Sequence, residues 1–289
     1  MSGAAGALLV SCRPRQWIKS GLVFVPLISS ATFVSREPVR RTLTAAGAFI
    51  LMSSAVYLLN DICDREYDRA HPLKKMRPIA SGALPVWNAA AAVAIFGSGA
   101  LFLGGTLGSK VLAVLALYGL VNLAYSLGLR KEPVLDVLLV SAGFVMRTVA
   151  GAYAIPVAVS PWLFVVSLLL SLSLSLLKRR AELVSLEALA VNHRPALGGY
   201  SVRFLDQLIS VVTGAGIISY ALYTFQSVHS EELVLTLPLF LYGVFRYLYL
   251  VYERGAGSSP EEVFLRDRPL QIDALLYLAA VVAILISKY

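Results

Sequence analysis

Apolar residues fall along this chain in nine long stretches that are separated by short polar segments. The stretches are about 17–23 residues long, the length of helix that crosses roughly 30 Å of hydrocarbon. They cover residues 16–34, 41–60, 86–107, 110–129, 134–156, 160–177, 205–228, 232–252 and 270–287. The pattern predicts an all-α polytopic membrane protein with about nine transmembrane helices in a single domain over residues 1–289. Lys19 and Pro26 interrupt the first stretch, which is therefore expected to be tilted or broken.

The composition excludes an ordinary water-soluble domain. Of the 289 residues, 58% are hydrophobic and 15% are charged, and the mean hydropathy is +0.74. A soluble core cannot bury that many apolar residues.

The basic residues are divided unevenly between the two predicted membrane faces. With nine crossings, the N-terminal face holds eighteen of the 25 Lys and Arg residues. The opposite face holds only Arg36, Arg40, Arg41, Lys110 and Lys288. Because cytoplasmic loops carry an excess of Lys and Arg, we expect an inner (plasma) membrane protein with a cytoplasmic N-terminus. Topology accounts for the net charge of +8, and no aromatic-basic motif indicates a nucleic-acid partner.

Three aspartates follow the second apolar stretch at positions i, i+3 and i+7: Asp61, Asp64 and Asp68. On a helix this spacing stacks them along one face over about 10 Å, and Asn60 lies on the same stripe. Like charges in this arrangement repel one another, so a cation should neutralise them. Carboxylate and amide oxygens suit Mg²⁺, which completes its shell with water and phosphate oxygens.

A basic loop follows these carboxylates and changes their interpretation. A solvated helix end, with Arg65 and Arg69 as partners along the helix, would ordinarily explain an acidic terminus. Here Lys75 and Arg77 come shortly after it, and such cations bind phosphate oxygens. The juxtaposition indicates a site for a metal ion and a diphosphate.

Cysteine and histidine provide no evidence for a second metal site. Cys12 and Cys63 are not closely spaced, and His71, His193 and His229 lie in separate segments, whereas zinc ligands recur at short spacings. We therefore expect solvated or interfacial histidines, and nothing indicates a disulfide.

The motif Asn60-Asp61-x-x-Asp64-x-x-x-Asp68, followed by Arg77-Pro78-x-x-Ser81-Gly82, resembles the first signature of the UbiA-type intramembrane prenyltransferase superfamily. Its members have nine helices around a membrane-open central cavity and bind Mg²⁺ and a diphosphate at the cytoplasmic mouth. The resemblance covers nearly the whole chain. It implies a transmembrane catalytic domain in which the three aspartates are catalytic and, together with Asn60, bind the metal.

The second aspartate motif, which most such enzymes carry after the sixth helix, is missing. The segment Lys178–Leu183 stands there instead. Its cations suit direct phosphate contacts, although flanking charge on the cytoplasmic side also explains them. Together with four other segments it resembles the decaprenyl-phosphate phosphoribosyltransferases. Those segments are Arg13–Lys19, Tyr125-Ser126 with Lys131–Asp136, Gly199–Ser201 with Phe204–Gln207, and Leu265–Leu270.

That branch uses the lipid as nucleophile and a soluble sugar diphosphate as donor. The resemblance implies transfer of 5-phosphoribosyl from phosphoribosyl diphosphate to a polyprenyl monophosphate, with release of pyrophosphate. The acceptor phosphate is already an anion, which fits the lack of a His–carboxylate pair as general base. The polyprenyl tail would lie in an apolar groove open to the bilayer. The residues expected to bind substrate are Lys19, Asn60, Arg65, Lys75, Arg77, Tyr125, Lys131, Arg147, Lys178, Arg179, Tyr200, Arg266 and Arg268.

Two arginines lie inside predicted helices. Arg147 lies near mid-membrane, where a charge is costly and usually faces a cavity, so a functional role is expected. Asp136 is one candidate partner, although eleven residues of helix span about 16 Å. Arg246 is close enough to a cytoplasmic helix end to extend to the interface.

Two other functions stay open on the sequence alone. A UbiA-type prenyltransferase would join a prenyl diphosphate to an aromatic acceptor, but most such enzymes carry the second aspartate motif. A lipid or phosphate transporter would place its binding groups near the midplane on broken helices, whereas the polar residues here gather at one face. No soluble domain or low-complexity tail indicates a protein partner, and no segment sets an oligomeric state.

Overall fold

The computed structural model describes residues 3–70, 74–186, 195–226, 231–257 and 259–287, and within these ranges the chain is helical and has no β-strand. His71, His193 and His229 lie outside the described residues. The α-helices are α1 Ala4–Ser11, α2 Val25–Ser29, α3 Arg36–Cys63, α4 Arg65–Ala70, α5 Pro78–Ser81, α6 Val86–Leu107, α7 Ser109–Leu127, α8 Leu135–Ala154, α9 Pro161–Leu186, α10 Val202–Phe225, α11 Leu237–Glu253, α12 Pro260–Arg266 and α13 Arg268–Ile286. Short 3-10 helices cover Pro14–Phe24, Thr32–Val34, Lys74–Met76, Leu129–Lys131, Pro195–Gly199 and Glu231–Thr236.

Eight segments of the described residues are long and apolar enough to cross a membrane. They are Arg36–Cys63, Val86–Leu107, Ser109–Leu127, Leu135–Ala154, Pro161–Ser185, Val202–Phe225, Glu231–Glu253 and Arg268–Ile286. These confirm the second to the ninth predicted stretches. The first of them starts earlier than predicted, at Arg36, because the prediction followed apolar residues alone and the first turns of the helix are polar, with an ion pair between Glu37 and Arg40 at 2.7 Å.

The first predicted stretch is broken rather than a regular membrane helix. It consists of the 3-10 helix Pro14–Phe24, the short helix α2 and a second 3-10 turn. Its start is fixed by Arg13, which bonds to Asp61 near the C-terminal end of α3, and it leads to Ser35 at the N-terminus of the same helix. In the described residues the first stretch is therefore broken, as expected, and the other eight predicted stretches form helices long enough to cross a membrane.

The chain divides into two compact units. The first comprises residues 1–27, 35–128 and 146–157, and its core lies around Phe49, Leu115 and Tyr118. In this unit Arg41 donates hydrogen bonds to the carbonyl of Leu107, at 2.7 Å, and to that of Ala154. It thereby satisfies carbonyls at the last residues of α6 and α8, where the helix itself provides no partner.

The second unit comprises residues 28–34, 129–145 and 158–289. Its core contains Leu176 and Leu177 of α9 and Leu205 and Ile209 of α10. Serines in this apolar interior bond to their own helix: the hydroxyl of Ser175 donates to the carbonyl of Ser171 at 2.8 Å. Such bonds let a hydroxyl lie in an apolar interior without losing its hydrogen bond.

Candidate active site

The aspartate motif lies where α3 ends and α4 begins. Helix α3 ends at Cys63, Asp64 caps it, and α4 starts at Arg65. The sequence predicted a continuous helix here, so the break at Asp64 is a correction. Backbone bonds continue across it, from Asp64 to Asn60 at 2.9 Å and from Asp68 to Asp64 at 2.8 Å, so the motif keeps a nearly helical path.

Asp61 and Asp68 converge on one guanidinium. The Nη1 atom of Arg77 donates to Oδ1 of Asp61 at 3.0 Å and to Oδ2 of Asp68 at 2.7 Å. The two carboxylates are almost fully covered, with 3% and 4% of their side-chain surface exposed. The carboxylates of the acidic motif and an arginine of the basic loop therefore lie in direct contact, and binding of a metal and a diphosphate by this cluster stays a prediction.

Arg13 also belongs to this cluster, although it was not among the site residues predicted from the sequence. Its Nη2 atom donates to Oδ1 of Asp61 at 2.6 Å, and its guanidinium lies 4.9 Å from the centre of the Tyr57 ring. Arg13 has φ of 53° and ψ of 65°, the left-handed region that costs a residue with a side chain about 1–3 kcal/mol. The segment Arg13–Lys19 carried the family resemblance, which was the only signal available.

The donor set suits Mg²⁺ better than a metal that needs a complete protein cage. In the part of the chain that the structure describes, no three His, Cys, Asp or Glu side chains form a ready metal site. Mg²⁺ is commonly bound by one or two carboxylates, with phosphate and water oxygens completing its shell. Asp61 and Asp68 offer such a pair, and the Arg77 guanidinium occupies the position of a cation between them.

Polar groups of α7 and α8 face α3 in the first unit. The hydroxyl of Ser126 donates to the amide oxygen of Asn60, and the neighbouring Tyr125 is partly buried. Deeper along α3, the buried Arg147 donates to Ser53 at 3.0 Å and to the Tyr118 hydroxyl at 2.9 Å. Arg147 thus lies among polar groups, as expected for an intramembrane charge.

The other cations predicted in the first unit are less enclosed. Lys19 is partly buried. Arg65 lies 3.7 Å from Glu66 and is 35% exposed, and Lys75 is exposed. For these residues phosphate binding stays a prediction.

Arg179 lies in a buried ionic cluster of the second unit. Its Nε atom donates to Asp136 at 2.6 Å and its Nη1 atom to Glu182 at 3.0 Å. The Tyr200 hydroxyl donates to the other oxygen of Asp136 at 2.7 Å, and burial together with this bond raises the pKa of Tyr200. The structure thus gives Arg179 and Tyr200 protein partners, and gives Asp136 partners other than the one considered from sequence.

The remaining predicted cations of the second unit differ in exposure. Lys178 is partly buried beside Arg179, whereas Lys131 and Arg268 are exposed. Arg266 is 80% exposed and lies 3.4 Å from Glu262.

Arg246, which was expected to extend to the interface, pairs with Asp267 beyond the end of its helix at 2.7 Å. That hydrogen bond lowers the pKa of Asp267.

The chain is similar to a protein family and to two relatives of the same name. The model of the UbiA prenyltransferase family matches residues 23–266. A decaprenyl-phosphate phosphoribosyltransferase of Mycolicibacterium smegmatis is 32% identical, covering 95% of this chain and 91% of that protein. A protein of the same name from Corynebacterium glutamicum is 34% identical, covering 96% and 86%.

A solved structure shows the same fold. The structure of a UbiA homolog from Archaeoglobus fulgidus bound to GPP and Mg²⁺ is similar with a TM-score of 0.73 at 19% identity. The similarity covers 96% of this chain and 99% of that one. The family match over residues 23–266 and the extent of the identity to the two relatives lead to one conclusion: the chain belongs to the UbiA prenyltransferase family.

Proposed function

We propose that this protein transfers the 5-phosphoribosyl group from phosphoribosyl diphosphate to a polyprenyl monophosphate of the decaprenyl type and releases pyrophosphate. The observation that carries the proposal is the similarity to two decaprenyl-phosphate phosphoribosyltransferases, at 32% and 34% identity over almost the whole chain. The bond broken is between C1 of ribose and pyrophosphate, and the bond formed joins C1 to an oxygen of the lipid phosphate.

The aspartate cluster supports a diphosphate leaving group. Asp61 and Asp68, with Asp64 and Asn60 of the same motif, would hold Mg²⁺, which would neutralise the charge that develops on pyrophosphate as it leaves. Arg77 lies against two of these carboxylates and is placed to bind phosphate oxygens. The lipid phosphate is an anion at neutral pH and needs no strong base to attack C1.

Separate cationic residues would hold the donor's 5-phosphate and the lipid phosphate. The candidates in the first unit are Lys19, Arg65, Lys75 and Arg147, with Tyr125 as a polar contact. The candidates in the second unit are Lys131, Lys178, Arg179, Arg266 and Arg268, with Tyr200 supporting Arg179 through Asp136. The excess of basic residues on their side of the membrane supports a cytoplasmic active site in the inner membrane, where a soluble sugar diphosphate is available.

One assay tests the proposal directly. Purified protein in detergent is incubated with Mg²⁺, polyprenyl phosphate and labelled phosphoribosyl diphosphate, and label entering the organic phase is measured. We expect incorporation that stops when Mg²⁺ is chelated. A parallel reaction supplies labelled prenyl diphosphate and an aromatic acceptor. Incorporation in that reaction alone would replace this proposal with prenyl transfer.

A further inference from the structure

We propose that Arg13 and Arg77 are the counter-ions of the aspartates in the empty site and diphosphate ligands in the loaded one, so that Mg²⁺ and the diphosphate each strengthen the binding of the other. The inference rests on the proposed function, because it assumes that a substrate with a diphosphate enters this site. It assigns Arg13 a role in substrate binding. It also means that both arginines exchange a carboxylate partner for a phosphate partner when the diphosphate binds.

The two guanidiniums form ion pairs with two of the three aspartates of the motif. Asp61 accepts hydrogen bonds from Arg13 at 2.6 Å and from Arg77 at 3.0 Å, and Asp68 accepts from Arg77 at 2.7 Å. A divalent cation entering alone would meet two guanidiniums in a partly covered site, where repulsion is stronger than in water. A diphosphate entering alone would draw the guanidiniums away from two buried carboxylates, which would then lack a counter-ion. Only the pair brings charges that the cluster can accommodate together.

The exposure of the side chains indicates how the exchange begins. Arg13 and Arg77 keep 34% and 30% of their side-chain surface exposed, whereas Asp61 and Asp68 keep 3% and 4%. A phosphate group that arrives from water therefore reaches the guanidiniums before the carboxylates. Guanidinium binds phosphate through paired, charge-assisted hydrogen bonds. Each bond that an arginine transfers to phosphate leaves a carboxylate oxygen available for the metal.

The position of the Arg13 guanidinium is fixed by two contacts. Its Nη2 atom donates to Asp61 at 2.6 Å, and the guanidinium lies 4.9 Å from the centre of the Tyr57 ring. With 34% of its side-chain surface exposed, Arg13 is therefore held beside the carboxylates while it stays accessible to a phosphate group.

Calorimetry on the full-length protein in detergent tests the proposal with three titrations: Mg²⁺ alone, inorganic pyrophosphate alone, and pyrophosphate at saturating Mg²⁺. In the wild type we expect Mg²⁺ to tighten pyrophosphate binding by about tenfold or more. In Arg13→Gln and Arg77→Gln, affinity for Mg²⁺ alone should rise about fivefold because a competing cation is gone. Affinity for pyrophosphate with Mg²⁺ should fall about tenfold.

The opposite signs of these two effects separate the proposal from a structural role. Arg15→Gln, an exposed arginine of the same segment, should change neither affinity, and Arg13→Lys should keep Mg²⁺ binding weak. If the two Gln variants change the affinity for Mg²⁺ and the affinity for pyrophosphate in the same direction, or change neither affinity, the inference is wrong. If Arg13→Gln does not fold, Arg77→Gln and Arg13→Lys decide the outcome.

Pyrophosphate stands in for the donor, so the result does not depend on phosphoribosyl transfer. If the two affinities change in opposite directions but no phosphoribosyl group is transferred to lipid, this inference holds and the proposed function is wrong. If the two affinities change in the same direction and transfer occurs, the proposed function holds and this inference is wrong.

Discussion

Asp136 of α8 accepts a 2.6 Å hydrogen bond from Nε of Arg179 of α9, and the two side chains keep only 0% and 3% of their surface exposed. A buried charge that loses its partner is strongly destabilising, by about 3–5 kcal/mol. The pair is therefore expected to stabilise the fold of the second unit, whether or not Arg179 also binds substrate.

Asp136→Asn should lower the stability of the protein by about 1.5–3 kcal/mol, the value of a hydrogen bond between charged groups, because Arg179 keeps Glu182 as a partner at 3.0 Å. The change is measured by thermal or chemical unfolding in detergent. Asp206→Asn is the matched control, because Asp206 pairs with Arg180 at 2.6 Å but keeps 37% of its side-chain surface exposed. An exposed pair of this kind contributes about 0–1 kcal/mol. A variant Asp136→Asn that is fully stable but inactive would instead place Arg179 in substrate binding.

Asp64→Asn and Asp68→Asn should abolish transfer while the protein stays folded. The substitution removes the negative charge that the metal requires but keeps the size of the side chain. Glu66→Gln serves as control, because Glu66 is an acid of the same motif, is 74% exposed and contacts only Arg65 and Arg69 among the ion pairs described. Activity is measured by label transfer to lipid and folding by thermal melting. Full activity in Asp68→Asn would mean that the metal binds elsewhere.

The membrane helices and the aspartate cluster were both predictable from the sequence. Apolar stretches about 20 residues long have one stable solution in a bilayer, a helix, because every backbone group must find a partner. The closeness of Asp61 and Arg77 followed from a short loop, only sixteen residues apart in the chain. Local spacing and simple electrostatics were enough for these features.

Other features of the site depend on contacts that spacing does not reveal. Arg179 pairs with Asp136, 43 residues away, and only the packing of α8 against α9 brings them together. Arg13 reaches Asp61 across 48 residues through a left-handed backbone that no sequence pattern indicated. The break at Asp64 was hidden because the spacing of the aspartates on both sides fits a continuous helix.

Gly151 on α8 is needed for a close helix contact in the first unit. A Cβ atom at this position would overlap the backbone carbonyl of Val23 in the broken first stretch. Backbone cannot move as a flexible side chain does, so Gly151→Ala should cost about 1–3 kcal/mol in an unfolding experiment. Gly97→Ala on α6 is the control, because a Cβ there meets nothing within 4 Å. It should leave stability unchanged or slightly raised, since alanine is the better helix former.

Asp267 should make stability depend on pH at the acidic end of the range. Its hydrogen bond with Arg246 lowers its pKa from the ordinary 3.8, and its side chain also accepts from the backbone of Leu270 at the start of α13. A lowered folded-state pKa stabilises the protein above the unfolded value, and this contribution is lost as the pH falls through the folded value. The melting temperatures of wild type and Arg246→Gln should therefore differ most near neutral pH and converge below pH 3.8. A constant difference across that range would contradict the assignment.

Arg147→Met separates a substrate-binding role of this arginine from a structural one. The substitution removes a costly intramembrane charge, and it does not orphan the hydroxyl of Ser53, which donates to the carbonyl of Phe49 at 2.6 Å and lies 3.4 Å from the Tyr118 hydroxyl. The protein should therefore fold with nearly unchanged stability. If Arg147 holds an anionic substrate, kcat/KM should fall about tenfold to a hundredfold, which corresponds to about 1.5–3 kcal/mol of hydrogen bonding to a charged group. Varying lipid phosphate and phosphoribosyl diphosphate separately shows which substrate loses affinity. Unchanged kinetics with lowered stability would assign Arg147 to the helix packing of the first unit.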